Sequence, residues 1–198
     1  MERDAAAPSQ PRRQALIEAG YDQLAQRGFE GLRTRDVAAA AGVNIATLHY
    51  YFPTKEALIG GILEQTMQRF RTTIAPSSSR GDLLRAHFNG LRRLVADEPE
   101  LFAVMGELAL RSARDPAIAE MFGKTIEIWH RTMQGLIAGA ARDGSLAGES
   151  DPDAQASLVI SAVMGASMIP LNRQARLEAT FGELERSLGL QPPDSERE

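Results

Sequence analysis

Cysteine is missing from all 198 residues, which removes disulfide frameworks and thiolate metal sites and makes a reducing cytoplasm the expected location. Lysine is nearly missing too: of 22 Lys+Arg, only Lys55 and Lys124 are lysines. Polar aromatics are scarce, with 1 Trp, 3 Tyr and 3 His. No apolar run reaches the roughly 18–20 residues that cross a bilayer. The strongest, SLVISAVMGASMIPL at 157–171, is interrupted by serines and a proline. The opening MERDAAAPSQPRRQ lacks the apolar core of a signal peptide. Membrane association is therefore not expected. Glycine-rich phosphate loops, nucleophile motifs and closely spaced metal ligands are also lacking, so no cofactor and no metal site is expected and the case for an enzyme is weak.

What remains is an ordinary globular composition, 43% hydrophobic and 24% charged, enough for one sizeable core or a small domain joined to a larger one. The net charge is −4. Residues 1–75 hold 9 basic against 8 acidic side chains, and residues 76–198 hold 13 against 18, so the acid is concentrated in the later part.

The chain reads as helix after helix, without a run of alternating polar and β-branched residues. The expected fold class is all-α. A disordered leader is expected at 1–10 and a disordered tail at 191–198. The first helix, from about Pro11, carries the stripe Ile17, Tyr21, Leu24 and stops at Gly28. Short helices follow within 34–42 and 43–52, and a long helix opens at PTKEAL with Thr54 as its cap. APSSSRGD at 75–82 reads as the linker between domains. Further helices are expected at 82–96, 99–113, 116–142, 152–171 and 174–188, two of them opened by the cap-and-proline pairs Asp115-Pro116 and Asp151-Pro152. The domain division expected is 11–58, a connecting helix at 59–75, and a larger domain at 76–190.

Residues 34–52 have the logic of a helix-turn-helix. Two short helices crossing steeply need a small residue at contact, supplied by Ala38, and a turn residue tolerant of positive φ, supplied by Gly42. Val37, Ala41, Val43, Leu48 and the body of Tyr51 would lock the pair. Asn44 is suited to cap the second helix. Ile45, Ala46, Thr47, His49 and Tyr50 then face outward, with no acid among them, as a helix entering a DNA groove requires. A helical hairpin buried in a bundle would show a similar short pattern.

The longer stretch GFEGLRTRDVAAAAGVNIATLHYYFPTKEAL at 28–58 resembles the DNA-binding domain of the TetR family of bacterial transcriptional regulators. The likeness covers about 11–60, roughly a quarter of the chain. It implies a homodimeric regulator with double-stranded operator DNA and a small-molecule effector as partners. It also implies residue roles: Thr34 and Arg35 at the DNA backbone or a flanking base, Asn44, Ile45, Ala46, Thr47 and His49 at base edges, Tyr50 and Lys55 on phosphates. Two positions depart from the family pattern, Ile45 where a polar or basic residue is common and His49 where tyrosine is usual, so no operator sequence follows.

The later domain offers His87, Phe88, Phe102, Met105, Trp129 and Met133 as candidates to line the apolar effector cavity that the resemblance implies. Trp129 and Met133 stand at i, i+4 and would share a helix face. Met and aromatic linings accept many apolar ligands. The helix at 152–171 is apolar nearly all round and is expected to be covered on every side. Leu158, Val159, Ala162, Gly165, Ala166 and Ile169 are its candidate dimer-interface residues. The rival readings are a helical scaffold without DNA binding and a helical enzyme.

Overall fold

The computed structural model describes residues 10–71, 80–147, 151–168 and 174–190. Nine α-helices occupy these residues: α1 (Gln10–Gly31), α2 (Thr34–Ala40), α3 (Ile45–Tyr51), α4 (Lys55–Arg71), α5 (Arg80–Asp97), α6 (Pro99–Ser112), α7 (Pro116–Arg142), α8 (Pro152–Met168) and α9 (Gln174–Ser187). Among the described residues the one β-type pairing is an isolated bridge between Leu146 and Leu190. The fold is all-α. The expected tail, nearly all of the leader, most of the 75–82 linker and the last turn of the 152–171 helix lie outside the described residues.

The starts of α4, α7 and α8 each have a local cause. The Thr54 hydroxyl accepts from the Ala57 N–H at 3.1 Å, and Asp115 Oδ1 accepts from the Ala117 and Ile118 N–H groups at 3.2 and 3.3 Å. Asp151 Oδ1 accepts from the Asp153 N–H at 3.0 Å. These side chains satisfy donors that a helix start leaves without intrahelical partners. The expected stop at Gly28 is instead a kink: Gly28 has φ 66° and ψ −177°, and helical structure resumes to Gly31. Only glycine adopts that conformation without strain.

The chain forms two compact units. One holds the described residues up to Thr66 together with Glu107–Phe122; the other holds Met67–Gly106 and the described residues from Gly123 onward. This differs from a linear division at 75–82 because side chains of Glu107 and Arg111 join the end of α1, as set out below. The helix α4 is continuous through the expected connecting segment and contributes to both units. In the first unit Leu16, Ile17, Leu24, Leu48, Leu58, Ile59 and Ile62 are fully buried; in the second, Leu84, Phe88, Phe102, Trp129 and Phe181 are. Each such side chain contributes about 1.5–3 kcal/mol of burial. Gly20 allows α1 and α4 to approach closely, since a Cβ there would lie 3.1 Å from the Ile62 side chain.

Candidate functional site

The helices α2 and α3 are short, so tertiary contacts must hold them. Val37 and Ala38 on α2 and Leu48 on α3 are buried, while Ala41, Val43 and Tyr51 are half-buried. Gly42 takes φ 67°, and across this turn the Val43 N–H donates to the Ala38 carbonyl at 2.9 Å. Asn44 caps α3 as its sequence position implies: its Oδ1 accepts from the Thr47 N–H at 2.8 Å and the Thr47 hydroxyl at 3.0 Å. Thr47 is consequently half-buried and turned toward its own cap.

With Leu48 inward, the outer face of α3 presents Ile45, Ala46, His49 and Tyr50. Ile45 is 36% and Tyr50 64% exposed, high for large side chains. Tyr50 stands edge-on to Tyr51, ring centroids 5.4 Å apart, which fixes the direction of its hydroxyl. Thr34 is half-buried and Arg35 exposed at the start of α2. The acids of this unit gather elsewhere. An open groove of about 740 Å³ between α1 and α2 is lined by Glu18, Asp22 and Asp36 among five alanines, with Asp36 paired to Arg27 at 3.7 Å.

Lys55 takes a place that the sequence did not reveal. Its ammonium donates to the Phe29 carbonyl at 2.8 Å and lies 4.0 Å from the centre of the Phe29 ring. Arg111 also packs on that ring, its guanidinium carbon 4.4 Å from the centre. The Phe29 N–H donates to Glu107 Oε2 at 3.1 Å. Arg111 also pairs with Glu30 at 3.1 Å and Asp115 at 3.4 Å. Burial lowers the Lys55 pKa, with Glu30 as the largest opposing influence. A cation at a helix N-terminus is unfavourable for the helix dipole; the Phe29 carbonyl and nearby carboxylates offset that cost. Lys55 thus ties α4 to the end of α1. An ammonium has three donors, so this bond leaves two for other acceptors. Glu107 and Phe29 are 78 residues apart, and no local pattern could have paired them.

His87, Phe88, Phe102, Met105, Trp129 and Met133 are all buried in the second unit, and none is more than 2% exposed. Two aromatic contacts join part of this set through Phe70. Phe70 lies 4.9 Å from Trp129 and edge-on to Phe102 at 5.8 Å. Phe88 pairs instead with Phe181 at 6.2 Å. Burial holds the His87 imidazole down at about 4.

The expectation for α8 is corrected in part. Val159 is 0% exposed inside its own chain, so it cannot also form an intermolecular surface; Leu158 is 52% exposed. Ala156, Val159, Ile160 and Val163 form the inward face, which leaves Leu158 and the partly exposed Ala162, Gly165 and Ala166 outward. Ile169 lies outside the described residues. A helix apolar all round is here covered on one face only.

Beside α8, the His130 ring Nε2 meets the Ser157 hydroxyl at 3.0 Å, the Asp153 carbonyl at 3.2 Å and the Asp153 carboxylate at 3.8 Å. All three approach one nitrogen, whereas a nucleophile relay places hydroxyl and carboxylate on opposite nitrogens. Among the described residues no cluster of three His, Cys, Asp or Glu side chains could hold a metal. No helix among them is long and apolar enough to cross a membrane.

Residues 16–62 match the family model described as bacterial regulatory proteins, tetR family. The chain is 29% identical over 116 residues to the HTH-type transcriptional regulator CymR of Pseudomonas putida, covering 57% of this chain and 56% of CymR. It is 29% identical over 143 residues to the HTH-type transcriptional regulator RutR of Escherichia coli (strain K12), covering 69% of this chain and 65% of RutR. The match therefore spans less than two thirds of either relative. A solved TetR transcriptional regulator from Chloroflexus aurantiacus shares the fold, with a TM-score of 0.77 at 22% identity, covering 93% of this chain and 98% of that one. Residues 16–62, which carry the helix-turn-helix on α2 and α3, are thus similar to the tetR family of bacterial regulatory proteins.

Proposed function

We propose that the protein is a cytoplasmic, homodimeric transcriptional repressor, not an enzyme, whose hold on operator DNA weakens when a small apolar molecule occupies the second unit. The observation that carries this reading is the exposed, acid-free face of α3, where Ile45, Ala46, His49 and Tyr50 project from a helix that buries only Leu48. Such a face can enter a major groove without repelling phosphates. Ile45 and Ala46 offer apolar contact to a thymine methyl, and the amide N–H₂ of Asn44 remains a donor after its oxygen is used as a cap. Tyr50 and Arg35 are the exposed groups suited to phosphate oxygens; Lys55 has two donors left for one. CymR and RutR are both described as HTH-type transcriptional regulators, in keeping with this.

Ligand control follows if the effector binds the DNA-incompetent state more tightly than the competent one; its differential affinity then sets the response. The helices α4 and α6 each contribute residues to both units, so each is a covalent route for that bias.

The test is a mobility-shift titration with DNA from upstream of the protein's own gene. Tyr50→Phe removes a single hydroxyl and is expected to weaken binding about tenfold, the scale of one lost hydrogen bond to a charged group. Unchanged affinity in both Tyr50→Phe and His49→Ala would remove α3 from the interface.

A further inference from the structure

The single tryptophan of the chain is Trp129, and it is 2% exposed. Its indole Nε1 is buried and finds no hydrogen-bond acceptor among the described residues. A buried donor without an acceptor is costly, and a ligand-binding group is one of the few reasons a fold retains one. Its surroundings are apolar: Phe70 lies against the indole at 4.9 Å, Phe102 meets Phe70 edge-on, and Met133 is buried one turn along α7.

We infer that the indole N–H of Trp129 is the polar anchor of the effector site, and that the effector is an uncharged molecule presenting a hydrogen-bond acceptor, such as a carbonyl, on an apolar frame. This rests on the proposed reading of the second unit as a ligand site.

Charge decides the class. Among the described residues no lysine or arginine is buried. In this unit Arg92 is held by Glu185 through two bonds at 3.1 and 2.9 Å, and Arg69 is paired with Glu98. His87 is buried but its depressed pKa of about 4 keeps it neutral at pH 7. An enclosed carboxylate would therefore lose its hydration without a fully buried lysine or arginine as counter-charge. A pure hydrocarbon would pack as well as a ketone but would leave the indole N–H unanswered. The site should reject it for the reason that buried polar groups reject ligands lacking their partner.

Near-isosteric probes separate these chemistries: acetophenone carries the acceptor, benzoate carries it with a charge, and ethylbenzene lacks it. The naphthyl counterparts extend the same comparison to a larger frame. Titration of the full-length protein by calorimetry, alongside emission from its one tryptophan, gives the affinities. In one of the two series the ketone is expected to bind at least about tenfold more tightly than its hydrocarbon and its carboxylate, and to shift Trp129 emission. In Trp129→Phe, read by calorimetry, ketone and hydrocarbon should fall within about twofold of each other. Binding without preference for the ketone in the wild type, or a preference retained in Trp129→Phe, overturns the anchor while leaving the ligand-site reading in place. No binding in either series overturns both.

Discussion

His87 is 1% exposed, and burial alone moves its pKa from 6.5 to about 4. The unfolded chain takes up a proton on this residue near 6.5, while the folded chain resists until about 4. Stability from the neutral imidazole is thus fully present above pH 6.5 and is lost as the pH falls toward 4, by roughly 3 kcal/mol over the window. Carboxylates titrate in part of the same range, so the informative quantity is a difference between two proteins. His87→Gln is expected to have a shallower stability–pH profile than the wild type between pH 4 and 6.5, by denaturant unfolding. Parallel profiles would mean that His87 is not held neutral. Lys55 shows the same logic with a different outcome. Its pKa is also lowered by burial, yet its ammonium keeps a carbonyl and a ring as partners. A lysine is unusual in this arginine-rich chain, and its slim ammonium reaches the Phe29 carbonyl while Arg111 takes another place on the same ring.

At the scale of elements, α8 separates two roles that its composition merges. Val159, one residue from Leu158, is sealed in the interior, while Leu158 is 52% exposed. If the outward strip of Leu158, Ala162 and Gly165 is covered by a second copy, Leu158→Glu should yield a folded monomer in sedimentation velocity, with helical content intact. Val159→Glu buries an unpaired charge and should instead lower the melting temperature sharply or prevent folding. A Leu158→Glu protein that stays dimeric would place the interface elsewhere. The turn between α2 and α3 is simpler, because Gly42 at φ 67° and the Asn44 cap follow from local chemistry alone.

For the whole molecule, a net charge of −4 means that the proposed attraction to DNA must depend on a few placed cations rather than on overall charge. Arg35 is exposed at the start of α2. In a dimer with one Arg35–phosphate contact per subunit, Arg35→Ala should reduce the slope of log affinity against log salt by about 2. An unchanged slope would show that Arg35 neutralises no phosphate. Except for Thr47, which turns to the Asn44 cap instead of outward, the order of the helices, the caps at Asn44, Thr54, Asp115 and Asp151 and the outward set on α3 could be read from sequence. They depend on contacts within a few residues, where cap chemistry and the 3.6-residue period suffice. The sequence also placed Trp129 and Met133 on one buried face for the same reason. Three things had to await the fold. Lys55 belongs to Phe29, Glu107 and Arg111 join the end of α1, and Val159 faces its own core while Leu158 does not. Each depends on residues far apart in the chain, or on which side of an evenly apolar helix is covered, and local periodicity contains neither. The sequence determined which segments are helical and how α3, α4, α7 and α8 begin; only the tertiary structure decided which partners they hold, because those contacts join residues that chain order keeps apart.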